Sequence, residues 1–115
     1  MTTEIASLVI TPLTTAVGSA VRGVDLATLS DPDFEKIRSA LFNRCMLVFP
    51  DQALDDASLL KFVGRWGEIM VTPMLTYLEG YPGILRVRNR GKDNTPTEYW
   101  HADSPYLERP PALSI

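Results

Sequence analysis

The chain has 115 residues, 45% of them apolar and 22% charged, which fits one folded domain and excludes a disordered tail. A formal net charge of −3 and an isoelectric point near 5.0 argue against nucleic acid or an anionic membrane as partner. No apolar run approaches the ~20 residues that span a bilayer, the opening residues carry no leader pattern, and the lone Cys45 excludes an internal disulfide and suits the cytoplasm.

Ser7 to Thr11 reads as a first strand, closed by Pro12, which has no N–H to give a central ladder. A second short strand is expected within the glycine-punctuated stretch Gly18 to Asp25. Asp31-Pro32 opens a helix, with Asp31 as the capping acceptor and proline where its missing N–H costs nothing. Phe34, Ile37, Leu41 and Phe42 form its apolar stripe, and Glu35, Lys36 and Arg38 its wet side. Cys45 to Phe49 is a continuous apolar run ended by Pro50, which predicts a strand buried on both faces with Cys45 as a small buried hydrophobe. Asp55 and Asp56 can cap a second helix carrying Leu59, Phe62, Val63 and Trp66, with Gly67 as its stop. A Tyr81-Pro82-Gly83 turn then leads to the strand Ile84 to Arg88, with Leu85 and Val87 on one face. Arg86, Arg88 and Arg90 read as a solvated face rather than an anion site, because Asp93, Glu98 and Glu108 lie near them in sequence. Asn89 to Pro96 is polar and turn-rich and reads as a loop, and Ala112 to Ile115 reads as the opening of another strand. The whole reads as the front half of a larger β-rich domain.

The sequence holds one histidine, His101, in Tyr99-Trp100-His101-Ala102-Asp103. In an extended strand residues i and i+2 share a face, so the His101 imidazole and the Asp103 carboxylate project together, with Trp100 opposite as a packing anchor. Those are two of the three ligands of the facial site that holds non-haem Fe(II) and leaves positions open. The third ligand, a second histidine, cannot come from these 115 residues. Taken alone, His-x-Asp is more often a hydrogen-bonded structural pair than a metal site.

Context weighs on the first reading. Trp100-His101-Ala102-Asp103-Ser104-Pro105-Tyr106-Leu107-Glu108-Arg109-Pro110-Pro111-Ala112 resembles the iron-motif segment of the taurine/chlorophenoxyacetate dioxygenase family. Ile10 to Leu13 and Gly23 to Leu26 resemble that family's opening strands. Leu47 to Leu54 is similar to its hydrophobic strand followed by Asp-Gln, and Phe62 to Ile69 to its aromatic-Gly-Glu helix end. The resemblance implies a double-stranded β-helix (jelly-roll) fold of the α+β, mainly β class with flanking helices. Residues 1–115 would be its N-terminal portion, apparently truncated.

By the same resemblance His101 and Asp103 are metal ligands for Fe(II), with 2-oxoglutarate as co-substrate and O2 as oxidant. The reaction implied is hydroxylation or oxidative cleavage of a small organic acid or related metabolite, with release of succinate and CO2. The second histidine and the arginine and threonine that hold 2-oxoglutarate are expected beyond residue 115. A carboxylate at Asp103 favours oxygenation, because related halogenases carry a small residue there. Thr72 and Leu75 stand where taurine dioxygenases carry a histidine and an aromatic residue, and Thr97 stands near a family asparagine. A sulfonate wants strong polar donors, so taurine is not the expected substrate. Thr72, Thr97, Ser104 and Tyr106 are the candidates for lining the substrate pocket, and Tyr106 is equally read as packing. Two alternatives stay open: a non-catalytic cupin-like binding module, and a related iron oxygenase with another outcome such as desaturation. The expected partners are a small-molecule substrate and O2, with neither nucleic acid nor membrane, and a homo-oligomer is allowed.

Overall fold

In the computed structural model, which describes residues 7–87, 91 and 99–115, the chain opens with strand β1, Val9–Pro12. β2, Ser19–Arg22, pairs with it antiparallel, Val9 facing Arg22 and Pro12 facing Ser19. Pro12 is thus part of the strand rather than its stop, which β1 tolerates because it is the edge of its sheet. The return loop between them is tied by its own groups. The Thr14 hydroxyl accepts from Val17 N at 2.9 Å and donates to Val17 O at 2.6 Å, while Leu13 N donates to Gly18 O at 3.0 Å.

Helix α1 spans Asp31–Arg44. Its cap is Ser30, one residue before the expected Asp31: the Ser30 hydroxyl accepts from Asp33 N at 3.2 Å and donates to the Asp33 carboxylate at 2.9 Å. Phe34 and Ile37 are buried and Leu41 half-buried, so that stripe faces the sheet. Phe42 departs from the expected stripe and lies 68% exposed beneath the Arg38 guanidinium. Eight residues at ~100° each turn it ~80° away from Phe34, off the packed face.

At the end of α1 the Arg44 guanidinium donates to the carbonyls of Thr14, Thr15 and Gly18, pinning the β1–β2 loop to the helix. Cys45 follows in the left-handed region at φ 63°, its N–H on Leu41 O at 2.7 Å. The residue expected to be buried is therefore an exposed helix cap. Strand β3 is only Leu47–Val48, parallel to β2, with Val48 exposed. The apolar run Cys45 to Phe49 is thus not a strand covered on both faces among the described residues.

After β2, Gly23 holds φ +76°, and a Cβ there would collide with the Ser7 carbonyl oxygen. The segments after β2 and β3 are joined by Gln52, whose side chain accepts from Leu26 N and donates to Val24 O, each at 3.0 Å. Arg22 and Asp51 add a 3.0 Å ion pair that is well exposed, so its contribution is small, ~0–1 kcal/mol. Val21, Leu26, Phe34, Ile37 and Phe62 make the buried apolar core, and Phe62 packs edge-on to Phe49 at 5.8 Å.

Helix α2, Asp56–Gly64, ends at Gly64 and not at Gly67; Trp66 lies in the turn beyond, where its N–H donates to Val63 O. Asp55 caps it, accepting from Ser58 N at 2.7 Å. Two compact units divide near its end, residues 1–62 and 63–115. In the second, β4 (Tyr77–Leu78) and β5 (Tyr81–Leu85) form a hairpin. Its turn is Glu79-Gly80, Gly80 supplying φ +78°. Tyr81-Pro82-Gly83, expected to be the turn, instead starts the strand. The free edge of a two-stranded ribbon accommodates a proline without a lost ladder bond.

Helix exceeds strand among the described residues, and they close no jelly-roll barrel. The expected strand at His101 and the strand opening at Ala112 to Ile115 are irregular chain. Pro105 and the Pro110-Pro111 pair cannot donate to a ladder, and Ser104 turns left-handed at φ 48°. Apart from Gly91, the predicted loop Asn89 to Pro96 lies outside the described residues, as do Arg88 and the opening six residues. No helix among the described residues is long and apolar enough to cross a membrane.

Two helix caps give an acid dependence. The Ser30 hydroxyl, then Lys36, hold the Asp33 carboxyl below the ordinary aspartate value, and hydrogen bonds from Ser58 do the same for Asp55. A depressed folded-state value means the folded chain binds fewer protons, so this stability is complete above the unfolded value and is lost as pH falls through the folded ones. Urea unfolding midpoints of Asp33→Asn and wild type should therefore differ at pH 6 and converge towards pH 2. Equal differences at both pH values contradict the assignment.

Candidate metal centre

His101 and Asp103 meet although no strand presents them. His101 Nε2 lies 3.3 Å from Asp103 Oδ1. On the far side of the ring Nδ1 lies 2.9 Å from the Tyr99 carbonyl oxygen. A carbonyl only accepts, so Nδ1 carries the proton and, in the neutral ring, Nε2 keeps its lone pair turned towards the carboxylate. A lone pair and a carboxylate oxygen facing each other need a cation between them, a proton or a metal ion. The Tyr99 ring stands edge-on to the imidazole at 5.7 Å, limiting its rotation.

The donor set suits a metal ion. Bonds of ~2.1 Å to nitrogen and oxygen at a right angle place two ligand atoms ~3 Å apart, close to the observed separation. A borderline nitrogen with a hard, charged oxygen is also the pairing that Fe(II) and its neighbours take. Both side chains are partly open, at 43% and 55% exposure, so an ion and a ligand can reach them. No group of three or more histidine, cysteine, aspartate or glutamate residues is arranged for a metal among the described residues.

The Ser114 hydroxyl donates to Asp103 Oδ2 at 2.7 Å, eleven residues away along the chain. No periodicity signals it, because the intervening segment turns back irregularly through three prolines.

The other predicted residues sit apart from this pair. Thr72 donates its N–H to the Tyr77 hydroxyl at 2.9 Å, which ties its loop to the start of the hairpin. Ser104 is half-buried and its carbonyl accepts from Leu107 N at 3.1 Å. Tyr106 is 74% exposed, and Trp100, expected as a packing anchor, is fully exposed because no strand face exists to carry it. Thr97 lies outside the described residues. Among the described residues, the only side-chain contact within the predicted set is His101 with Asp103.

Residues 10–115 match the family described as taurine catabolism dioxygenase TauD, TfdA family, and the chain belongs to it. It is 31% identical over 118 residues to an (S)-phenoxypropionate/alpha-ketoglutarate-dioxygenase of Delftia acidovorans, covering 88% of this chain and 38% of that protein. A protein of the same description from Sphingobium herbicidovorans is 32% identical over 102 residues, covering 85% and 36%. The chain thus spans little more than a third of the length of these relatives. Among solved structures, a taurine dioxygenase from Burkholderia xenovorans superposes with a TM-score of 0.61 at 28% identity, over 66% of this chain and 28% of that one. AAD-2 in complex with Mn(II) and N-oxalylglycine gives 0.53 at 27% identity, over 56% and 26%.

Proposed function

We propose that these residues are the N-terminal portion of a longer Fe(II)- and 2-oxoglutarate-dependent dioxygenase domain with a jelly-roll barrel, and that His101 and Asp103 are two of its three protein metal ligands. The observation that carries the reading is the 3.3 Å approach of Nε2 and Oδ1 with the opposite ring nitrogen held by a backbone carbonyl, in a chain of this family. Iron with 2-oxoglutarate would supply the oxidising power, turning O2 and 2-oxoglutarate into succinate, CO2 and an oxidised substrate. The protein's own part is narrower. Tyr99 O sets the imidazole tautomer, Asp103 contributes the negative charge, and the edge of the Tyr99 ring limits where the imidazole can swing. The second histidine and the groups that hold 2-oxoglutarate belong, on this reading, to the remainder of the domain.

The substrate is proposed as a small organic acid. Thr72, Thr97, Ser104 and Tyr106 stay candidates for its pocket, and the names of the curated relatives make an aryloxy acid the first compound to assay. The lone Cys45 supports a cytoplasmic setting. The test is succinate release by the full-length protein with Fe(II), 2-oxoglutarate and O2, offered (S)-phenoxypropionate or taurine. Substrate-dependent succinate with the aryloxy acid and little sulfite from taurine is expected. Efficient sulfite release would mean that Thr72 and Leu75 do not govern the pocket.

A further inference from the structure

A carboxylate can hold a metal ion through one oxygen or two, and a half-exposed aspartate has two side-chain torsions free to choose between them. Asp103 has its two oxygens engaged differently. Oδ1 faces His101 Nε2 at 3.3 Å, whereas Oδ2 accepts the Ser114 hydroxyl at 2.7 Å. We propose that Ser114 is a positioning residue for Asp103, holding the carboxylate as a one-oxygen ligand turned towards His101. This rests on the reading of His101 and Asp103 as metal ligands.

The physical case is one of pre-organisation. A hydrogen bond to a charged acceptor is among the stronger kinds, and 2.7 Å is a well-formed distance for an O–H donor. It occupies Oδ2, fixes both torsions of the side chain, and leaves Oδ1 with its lone pairs towards the imidazole. The imidazole is held in the same manner by the Tyr99 carbonyl. Each of the two ligand side chains thus has its non-ligating polar atom tied to the protein, so neither must be ordered when an ion arrives.

The test uses full-length protein, with Mn(II) alone and with Fe(II) plus 2-oxoglutarate under anaerobic conditions, followed by metal titration and by the charge-transfer band. Ser114→Ala should weaken metal affinity by ~10–100-fold and alter the band. Ser114→Thr, which keeps the hydroxyl, should restore both, and the melting curve of the metal-free protein should be the same for all three, since Ser114 is exposed. Unchanged affinity in Ser114→Ala, failure of threonine to restore it, or an equal fall in metal-free melting temperature would each overturn the assignment. His101→Ala serves as the second arm. Metal binding retained there removes the site itself, whereas loss there with unchanged Ser114→Ala removes only the role of Ser114.

Discussion

His101→Ala in the full-length protein should abolish the anaerobic charge-transfer band of Fe(II) with 2-oxoglutarate and, with it, succinate production. Loss of a ligand's hydrogen-bond partner alone costs ~10–100-fold, and removing the ligand itself exceeds that. Asp103→Ala removes the charge that offsets the cation and should cost most of the turnover even where some metal is retained. Both variants should keep their melting temperature within a few degrees. The two side chains are 43% and 55% exposed, so no cavity opens in an apolar core when they are shortened. A merely structural pair, joined to Tyr99 O and to Ser114, behaves in the opposite way: lower melting with metal binding intact. Metal titration and melting of the same two proteins separate the cases, and undiminished metal binding in both would falsify the ligand assignment.

The second large effect concerns the fold beneath the site. Ile37 is fully buried between α1 and the three-stranded sheet, together with Val21. Ile37→Ala removes three carbons and leaves a void that close-packed neighbours fill only in part, so a loss of ~2–5 kcal/mol is expected. Phe42→Ala deletes a larger side chain from the same helix, yet its ring is 68% exposed and should cost well under half as much. Comparable shifts of the urea midpoint in both variants would contradict the observed facing of α1.

The distinction between Ile37 and Phe42 marks how far a linear pattern reaches. Apolar spacing identified α1, α2 and the residues that α1 buries, because a 3.6-residue period is a local property and half-buried helices must carry it. The cap moved by one residue, from Asp31 to Ser30, since both offer an acceptor and only the backbone conformation chooses between them. Glu79-Gly80 rather than Tyr81-Pro82-Gly83 makes the hairpin turn; Gly80 and Gly83 both hold a positive φ, and the proline is tolerated on a free edge. The short β3 and the exposed Cys45 depart from the apolar run for a similar reason: how much of a hydrophobic stretch becomes strand depends on the partner available, here the four residues of β2.

By itself the sequence determined the order of the helices and first strands, the wet side of α1, the lone histidine and its spacing from a carboxylate. Those features are carried by neighbours in the chain, where sterics and periodicity act directly. Tertiary structure alone decided the rest. It let Gln52 bridge Val24 and Leu26, brought Arg44 onto the carbonyls of the loop before β2, and placed Ser114 on Asp103. It also joined His101 to Asp103 across irregular backbone rather than along a strand. Each of these is a hydrogen bond or ion pair whose partners are chosen by where the folded backbone leaves a donor beside an acceptor, and residue spacing holds no record of that proximity.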